Sequence, residues 1–263
     1  MKLDRRLFSI GLIAAIACGP TIAAAETALE RISTSKTIRI AIPADFPPYG
    51  FVGSDMLPRG LDIDMASLIA DKLGAKAELV PVTTANRVPY LQTNKVDLVI
   101  STLGKNPERE AVIDFASAYS PFFIAVFGPK DANIPDPKAL SGKTIGVTRG
   151  SVDDAELTKV APADATIMRF EDNNGTISAF VSGQTQLVAA GASVAAAMME
   201  QNPSLEAEYK FLLKESPNYV GVAKGQAELK SKVNEIIASA KADGTLEALA
   251  QKWLKRSAGN LPE

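Results

Sequence analysis

The sequence predicts an α/β protein of two lobes, each a mostly parallel sheet flanked by helices, with a ligand cleft between them. Three observations lead there. β-rich runs and helix-periodic runs alternate along almost the whole chain, the order of a parallel sheet covered by helices. The series begins again after Pro121, which makes a second α/β unit. The 263 residues are 46% apolar and 22% charged, a globular composition with length for one large domain or two modest ones.

Residues 1–25 read as an export signal. Lys2, Arg5 and Arg6 give a positive start, residues 7–17 are apolar, and Ala23-Ala24-Ala25 offers small residues for cleavage. The apolar run is short for a membrane span. Arg5-Arg6 followed by Phe8 leaves twin-arginine export open. Cys18 is a weak candidate for lipid attachment, because Ala15 stands where a larger aliphatic is usual. Cleavage near Ala25 leaves a mature chain without cysteine, so its stability must rest on a packed core.

The first unit opens with a strand over residues 37–42, ended by Pro43. Met65, Leu68, Ile69 and Leu73 recur at helical spacing, with Asp64 as N-cap and Gly74 as stop. Residues 78–82 read as a strand, 86–93 as a helix and 96–100 as a buried strand. In the second unit, residues 122–127 and 144–147 are strands separated by the loop Ile134-Pro135-Asp136-Pro137. Gly150-Ser151 introduces a helix, and residues 167–170, 177–181, 187–190 and 193–199 continue the alternation. Two β-like runs, 209–213 and 219–223, precede the final helices. Trp253 reads as a core or docking residue rather than a ligand platform.

Composition removes whole classes of function. The chain has no histidine and one cysteine, so Ser-His-Asp and Cys-His machinery and histidine-ligated zinc or haem are excluded. No EF-hand loop is present. Gly142-Lys143-Thr144 resembles the end of a phosphate loop but has Pro137 where a glycine is required. A formal net charge of −2 gives no reason to expect nucleic acid as a partner. No catalytic set, metal or cofactor is expected.

Ligands of open α/β sheets bind beyond the carboxyl ends of strands and in clefts between domains. The loops of interest follow Ile42, Val82, Ile100, Val147 and Ala190. In the first, Phe46 and Tyr49 lie in the proline-braced run 43–49 and read equally as ligand cover or as core. In the third, Asn106 and Pro107 cap a helix whose first turn carries Arg109. That charge opposes the helix dipole unless an anion sits there, and a guanidinium holds a carboxylate through two parallel bonds. A surface arginine paired with Glu108 or Glu110 is the simpler alternative.

Residues 37–119 resemble the first lobe of the family 3 extracellular solute-binding proteins, the polar amino-acid receptors of ABC importers. The residues that carry the likeness are Ile38-Arg39-Ile40, Phe46-Pro47-Pro48-Tyr49, Gly60-Leu61-Asp62-Ile63-Asp64 and Asn86-Arg87-Val88-Pro89-Tyr90-Leu91. Lys95-Val96-Asp97, Pro107-Glu108-Arg109 and Asp114-Phe115 continue it, and weaker similarity reaches Trp253. The resemblance implies a type II periplasmic binding fold, with residues 36–120 and 217–263 in one lobe and 121–216 in the other. It implies that Arg109 binds an α-carboxylate, helped by Thr102, Gly104, Gly150 and Ser151, with Phe46 covering the ligand. Thr84 and Arg87 match groups that contact a side-chain carboxylate in the glutamate/aspartate branch; Arg87 reads equally as a helix-surface charge. Asp62 and Asp64 are expected to open a helix rather than to catalyse.

Two departures bear on the ligand. Gly191 stands where the family carries an aspartate that accepts the α-ammonium, so either another acid replaces it or the ligand has no amine. Asp153, Asp154, Glu171 and Asp172 are the nearby acids. Pro43 occupies a position that is acidic in receptors for basic amino acids, which argues against lysine or arginine. The resemblance thus implies a periplasmic, monomeric protein that captures a small carboxylate-bearing solute, an amino acid with the acidic ones included, for a membrane permease. A dehydratase-like enzyme on the same scaffold and a receptor for a non-amino-acid dicarboxylate stand as alternatives.

Overall fold

The computed structural model describes residues 26–262; the export signal, its cleavage site and Cys18 lie outside the described residues. Two five-stranded sheets organise the chain. The first contains β1 (Thr37–Ile42), β5 (Lys76–Pro81), β6 (Leu98–Leu103), β7 (Ile113–Ser120) and β13 (Asn218–Ala223), in the order β5-β1-β6-β13-β7. The second contains β8 (Phe123–Pro129), β9 (Thr144–Thr148), β10 (Thr166–Phe170), β11 (Leu187–Gly191) and β12 (Ala207–Glu215), in the order β10-β9-β11-β8-β12. A small antiparallel sheet of β2 (Asp45–Phe46), β3 (Gly50–Val52) and β4 (Pro58–Arg59) follows β1.

In the first sheet β1 runs parallel to β5 and β6, while β13 is antiparallel to β6 and β7. In the second, β9 runs parallel to β10 and β11, while β8 is antiparallel to β11 and β12. One strand per sheet is therefore reversed and the other four share a direction. The reversed strand is each time the one entered directly after the chain crosses between sheets, β8 after residues 121–122 and β13 after 216–217. A direct crossing has no helix with which to turn the chain round, as a parallel connection requires.

Burial follows the strand period of two. On β8 and β11, Val126, Leu187 and Ala189 join Ile145, Val147 and Leu157 in one cluster, while Ala125, Phe127, Val188 and Ala190 join Phe180 and Met198 in another. Both faces of that sheet are thus covered, as a sheet between two helix layers requires. Under the first sheet, Ile38, Ile40, Leu98, Ile100 and Val220 pack with Met65 and Ile69, and this cluster extends to Phe122, Ile124 and Val152.

Helix α1 (Ala28–Ser35) and the sheet β2-β3-β4 are absent from the sequence reading, and three further elements depart from it. Helix α2 (Leu61–Lys72) starts three residues before Asp64, behind Gly60. Asp64 is therefore not the N-cap; it accepts hydrogen bonds from Lys252 Nζ and Trp253 Nε1, each at 2.7 Å. Trp253 thereby docks the last helix, α9 (Thr245–Leu254), onto α2, as a docking reading of that residue expects. β6 starts at Leu98 rather than Val96, because the Asp97 carboxylate is turned aside to Arg39 N (2.8 Å) and to Arg39 Nη2 (2.7 Å). β7 is absent from the sequence reading altogether: Ile113, Phe115 and Tyr119 alternate, but Ala116, Ser117 and Ala118 interrupt the pattern with small residues.

Gly60 has φ +136° and ψ 174°, a conformation open to glycine alone, and a Cβ there would collide with the Tyr49 carbonyl. Gly60→Ala is expected to cost about 1–3 kcal/mol of backbone strain before any collision, which lowers Tm by about 2–4 °C per kcal/mol in a protein of this size. Differential scanning calorimetry of the two proteins checks it.

Candidate functional site

The strand ends of the two sheets face each other across one narrow cavity of about 20 Å³, room for about one water while the lobes stand this close. From the first sheet's side come Phe46, Thr84, Arg87, Thr102 and Gly104; from the second come Ser151, Val152, Asp153 and Asn173; Phe122 and Ser216 come from the two crossings. A second cavity of about 10 Å³ shares Phe46, Asp153 and Asn173 with it and continues to Thr148, Thr176 and Ala190. Phe46, Tyr49 and Phe122 form an aromatic group with ring centroids 5.5–6.2 Å apart. Phe46 is thus both core and cavity wall, which removes the choice the sequence left open.

Arg109 sits in the first turn of α4 (Pro107–Val112), where Asn106 Oδ1 caps its backbone N–H at 2.8 Å. Its guanidinium turns back over the strand end. Nη1 donates to Gly104 O at 2.7 Å and Nη2 to Gly150 O at 3.0 Å, so one side chain joins the two lobes. Arg109 and Gly150 do not line the cavity, whereas the other six residues singled out from the sequence do. The pairing with Glu108 or Glu110 is not formed.

Arg87 opens α3 (Arg87–Gln92) and is buried, so it is not a helix-surface charge. Its Nε donates to Ser101 Oγ at 3.1 Å and its Nη1 reaches Thr102 O at 3.4 Å. Burial lowers the pKa of both guanidiniums, and the charge of Arg87 adds to the effect on Arg109, which falls to about 10. Both stay protonated at neutral pH. Among the described residues neither forms an ion pair with a carboxylate; each is held by hydroxyl or carbonyl oxygens. The carboxylates of Asp45, Asp62 and Asp153 act on Arg87, and those of Asp153 and Glu108 on Arg109, only at a distance; a buried guanidinium with no direct ion pair favours an anion in contact with it.

Asp62 is the support beneath. Wholly buried in α2, its Oδ2 accepts from Thr102 N and its Oδ1 from Tyr119 Oη, each at 2.8 Å. Thr102 is held at φ +42°, and its own Oγ1 is buried with no partner. A threonine in the left-handed region is strained and persists only where its surroundings impose it. Asp62 supplies that constraint, and the Thr102 hydroxyl is left free to serve the cavity. Asp62 does lie in the first turn of a helix, but its carboxylate fixes the binding loop, a role that only the meeting of α2, β6 and β7 reveals.

In the second sheet, Gly150 (φ +69°) makes the turn into α5 (Val152–Val160), whose N-cap is Ser151. Ser151 Oγ accepts from Asp154 N at 3.0 Å. α6 (Asn173–Val181) points its N-terminus at the first lobe: Asp45 Oδ2 accepts from Asn173 N at 2.8 Å and Asp45 Oδ1 from Asn173 Nδ2 at 3.2 Å. Phe122, Val152, Asn173 and Ser216 were not singled out from the sequence. Ordinary hydrophobic or capping residue types give no signal there; only their position at a crossing or helix start does.

This arrangement, two α/β lobes joined by two crossings with a polar cavity between strand ends, is that of a two-lobed solute-binding protein. The chain matches the Bacterial extracellular solute-binding proteins, family 3, over residues 38–256, and belongs to that family. It is 26% identical over 269 residues to the ABC transporter glutamine-binding protein GlnH of Bacillus subtilis, covering 95% of this chain and 98% of the relative. Among solved structures it is similar to a solute receptor for L-cysteine of Neisseria gonorrhoeae, with 32% identity, a TM-score of 0.81 and coverage of 88% of this chain and 95% of that one. It is also similar to an ancestral amino acid-binding protein described as a precursor of cyclohexadienyl dehydratase, with 28% identity, a TM-score of 0.78 and coverage of 86% and 99%.

Burial pushes the Asp62 carboxyl up to about 7, against the opposing pull of Tyr119 Oη, Thr102 N–H and the Arg87 charge. An acid whose pKa is higher folded than unfolded binds protons more readily in the native state, so its contribution to stability falls as pH rises from about 4 to 7. Asp62→Asn lacks this term. The stability lost on substitution should therefore be larger at pH 5 than at pH 8, as urea unfolding at the two values would show.

Proposed function

We propose that the protein is the periplasmic receptor of an ABC importer, which captures an amino acid by closure of its lobes and presents the closed form to a membrane permease. The observation that carries this reading is the cleft between the lobes, with Arg87 in the cavity wall and Arg109 beside it, both buried and neither in direct contact with a carboxylate. The matching relatives named above bind glutamine, L-cysteine and amino acids at large. In this reading Arg109 exchanges its bond to Gly150 for the ligand's α-carboxylate, with the Thr102 hydroxyl, Gly104 and Ser151 completing the anion site. Thr84 and Arg87 receive a second polar or anionic group, which favours acidic amino acids. Phe46 covers the carbon skeleton.

The crossings near residues 120–122 and 215–218 act as the hinge, with residues 36–120 and 217–263 moving as one lobe against 121–216. A ligand that touches both lobes binds the closed state more tightly and shifts the population towards it. Asp45 with Asn173 and Arg109 with Gly150 bridge the lobes at polar contacts, which suit reversible closure better than an apolar interface.

Asp62, the most perturbed carboxyl near the site, lies beneath the cavity rather than in its wall. Asp62 has both oxygens engaged by Thr102 and Tyr119, so it is not free to exchange a proton with a solute. Prephenate incubated with the purified protein is expected to keep its absorbance; its loss would favour the dehydratase reading.

The direct test is isothermal titration of refolded mature protein with the twenty standard amino acids and with succinate and glutarate. Arg109→Ala should weaken the best ligand by about 30-fold or more, the scale of removing one partner of a buried charged pair. Unchanged affinity would remove Arg109 from the site.

A further inference from the structure

The end of β11 offers no acid to a ligand. Gly191 has no side chain, and a Cβ built there runs into the ring of Phe122. The space an acidic side chain would need is therefore filled by an aromatic that also stacks in the Phe46–Tyr49 group. A substitution at 191 alone does not restore a carboxylate without displacing that ring.

The acids near the cavity then sort themselves by their partners. Asp154 Oδ1 accepts from Arg169 Nε at 2.8 Å, and its Oδ2 accepts from Gly150 N at 3.1 Å. Glu171 pairs with Arg149 at 2.8 Å on the exposed surface. Asp172 caps α6 through Gly175 N at 2.7 Å. Asp45 is bonded to Asn173. Asp153 differs from all of these. It is 8% exposed, it lines both cavities, and its Oδ1 is buried without a hydrogen-bond partner. A buried acceptor left empty costs free energy that a ligand donor can recover. Burial raises its carboxyl to about 6, opposed by Ser151 and by the charges of Arg87 and Arg109, so at neutral pH it is mostly ionised.

We propose that Asp153 is the cation-binding group of the cleft: it receives the ammonium of the ligand in place of the acid that Gly191 and Phe122 exclude. The proposal rests on the receptor reading above. It makes the cleft bipolar, with the Arg87 guanidinium in the cavity wall and that of Arg109 beside it for anionic groups, and one carboxylate on the first turn of α5 for the amine. The matching ligand is a zwitterion with a further polar or anionic group, not a plain dicarboxylate. Asp153 also belongs to the second lobe whereas Arg87 belongs to the first, so a zwitterion that spans them ties the lobes together.

The test pairs the amino acid with the highest affinity in calorimetry with its 2-desamino analogue, on the wild type and on Asp153→Asn. The wild type should bind the amino acid at least 30-fold more tightly than the analogue. Asp153→Asn should lose about 30-fold or more for the amino acid while holding or improving its affinity for the analogue, since a repelling carboxylate has gone. Equal losses for both ligands, or none for the amino acid, would overturn the proposal in favour of a helix-dipole role for Asp153. If Asp153→Asn does not fold, Asp153→Ser replaces it, and the wild-type comparison alone still decides: an analogue that binds as well as the amino acid refutes the assignment. Binding of glutarate or succinate with no amino acid bound would overturn Asp153 and the amino-acid ligand together, and leave only the solute-receptor reading. No binding of either class would remove both.

Discussion

The guanidinium of Arg109 is held by two main-chain carbonyls, Gly104 O in one lobe and Gly150 O in the other. Carbonyl oxygens satisfy its N–H groups without cancelling its charge, so the cleft keeps an unanswered cation where the lobes meet. A carboxylate in that place would have formed a finished salt bridge and left the site nothing to offer a solute. The remaining features of the cleft follow from keeping this charge buried, poised and unpaired. Asn106 fixes the start of the helix that carries it, and Gly150 supplies the left-handed turn that brings the second carbonyl within reach.

Beneath that contact lies a buried support. Asp62, Tyr119 and the Thr102 backbone make a closed set of hydrogen bonds that draws on α2, β7 and the end of β6. It holds Thr102 in an unfavourable conformation, and strain of this kind is retained where the surrounding structure over-determines it. Arg87 rests on the same segment through Ser101 and Thr102. The two arginines therefore sit on one rigid frame, and movement between the lobes need not disturb their spacing on the first sheet.

The crossing residues join the hinge to the site. Phe122 lies in the first crossing, stacks with Phe46 and Tyr49, and fills the space beside Gly191. Ser216, in the second crossing, lines the same cavity. The cavity wall and the crossings thus share side chains, which in the proposed receptor would give a bound solute direct leverage on the angle between lobes.

Much of this was legible in the sequence because it depends on local periodicity. The strand over residues 37–42, the capped starts at Asn106 and Ser151, and the α/β alternation of both units follow from spacing and capping chemistry alone. The likeness to a receptor family, clearest over residues 37–119 and weaker beyond, singled out eight residues, of which six share one cavity. What stayed hidden depends on distant segments meeting. Asp62 reads as a helix opener until β6 and β7 bring Thr102 and Tyr119 to it, and β7 itself has too little pattern to declare a strand until β13 pairs with it. The four acids at 153, 154, 171 and 172 are alike in sequence, and only the fold assigns partners to three of them and leaves Asp153 empty. By itself the sequence determined the elements and the family, because these rest on short-range pattern. The tertiary structure alone decided which charges are paired and which are left for a ligand, because that depends on burial and on contacts between residues far apart in the chain.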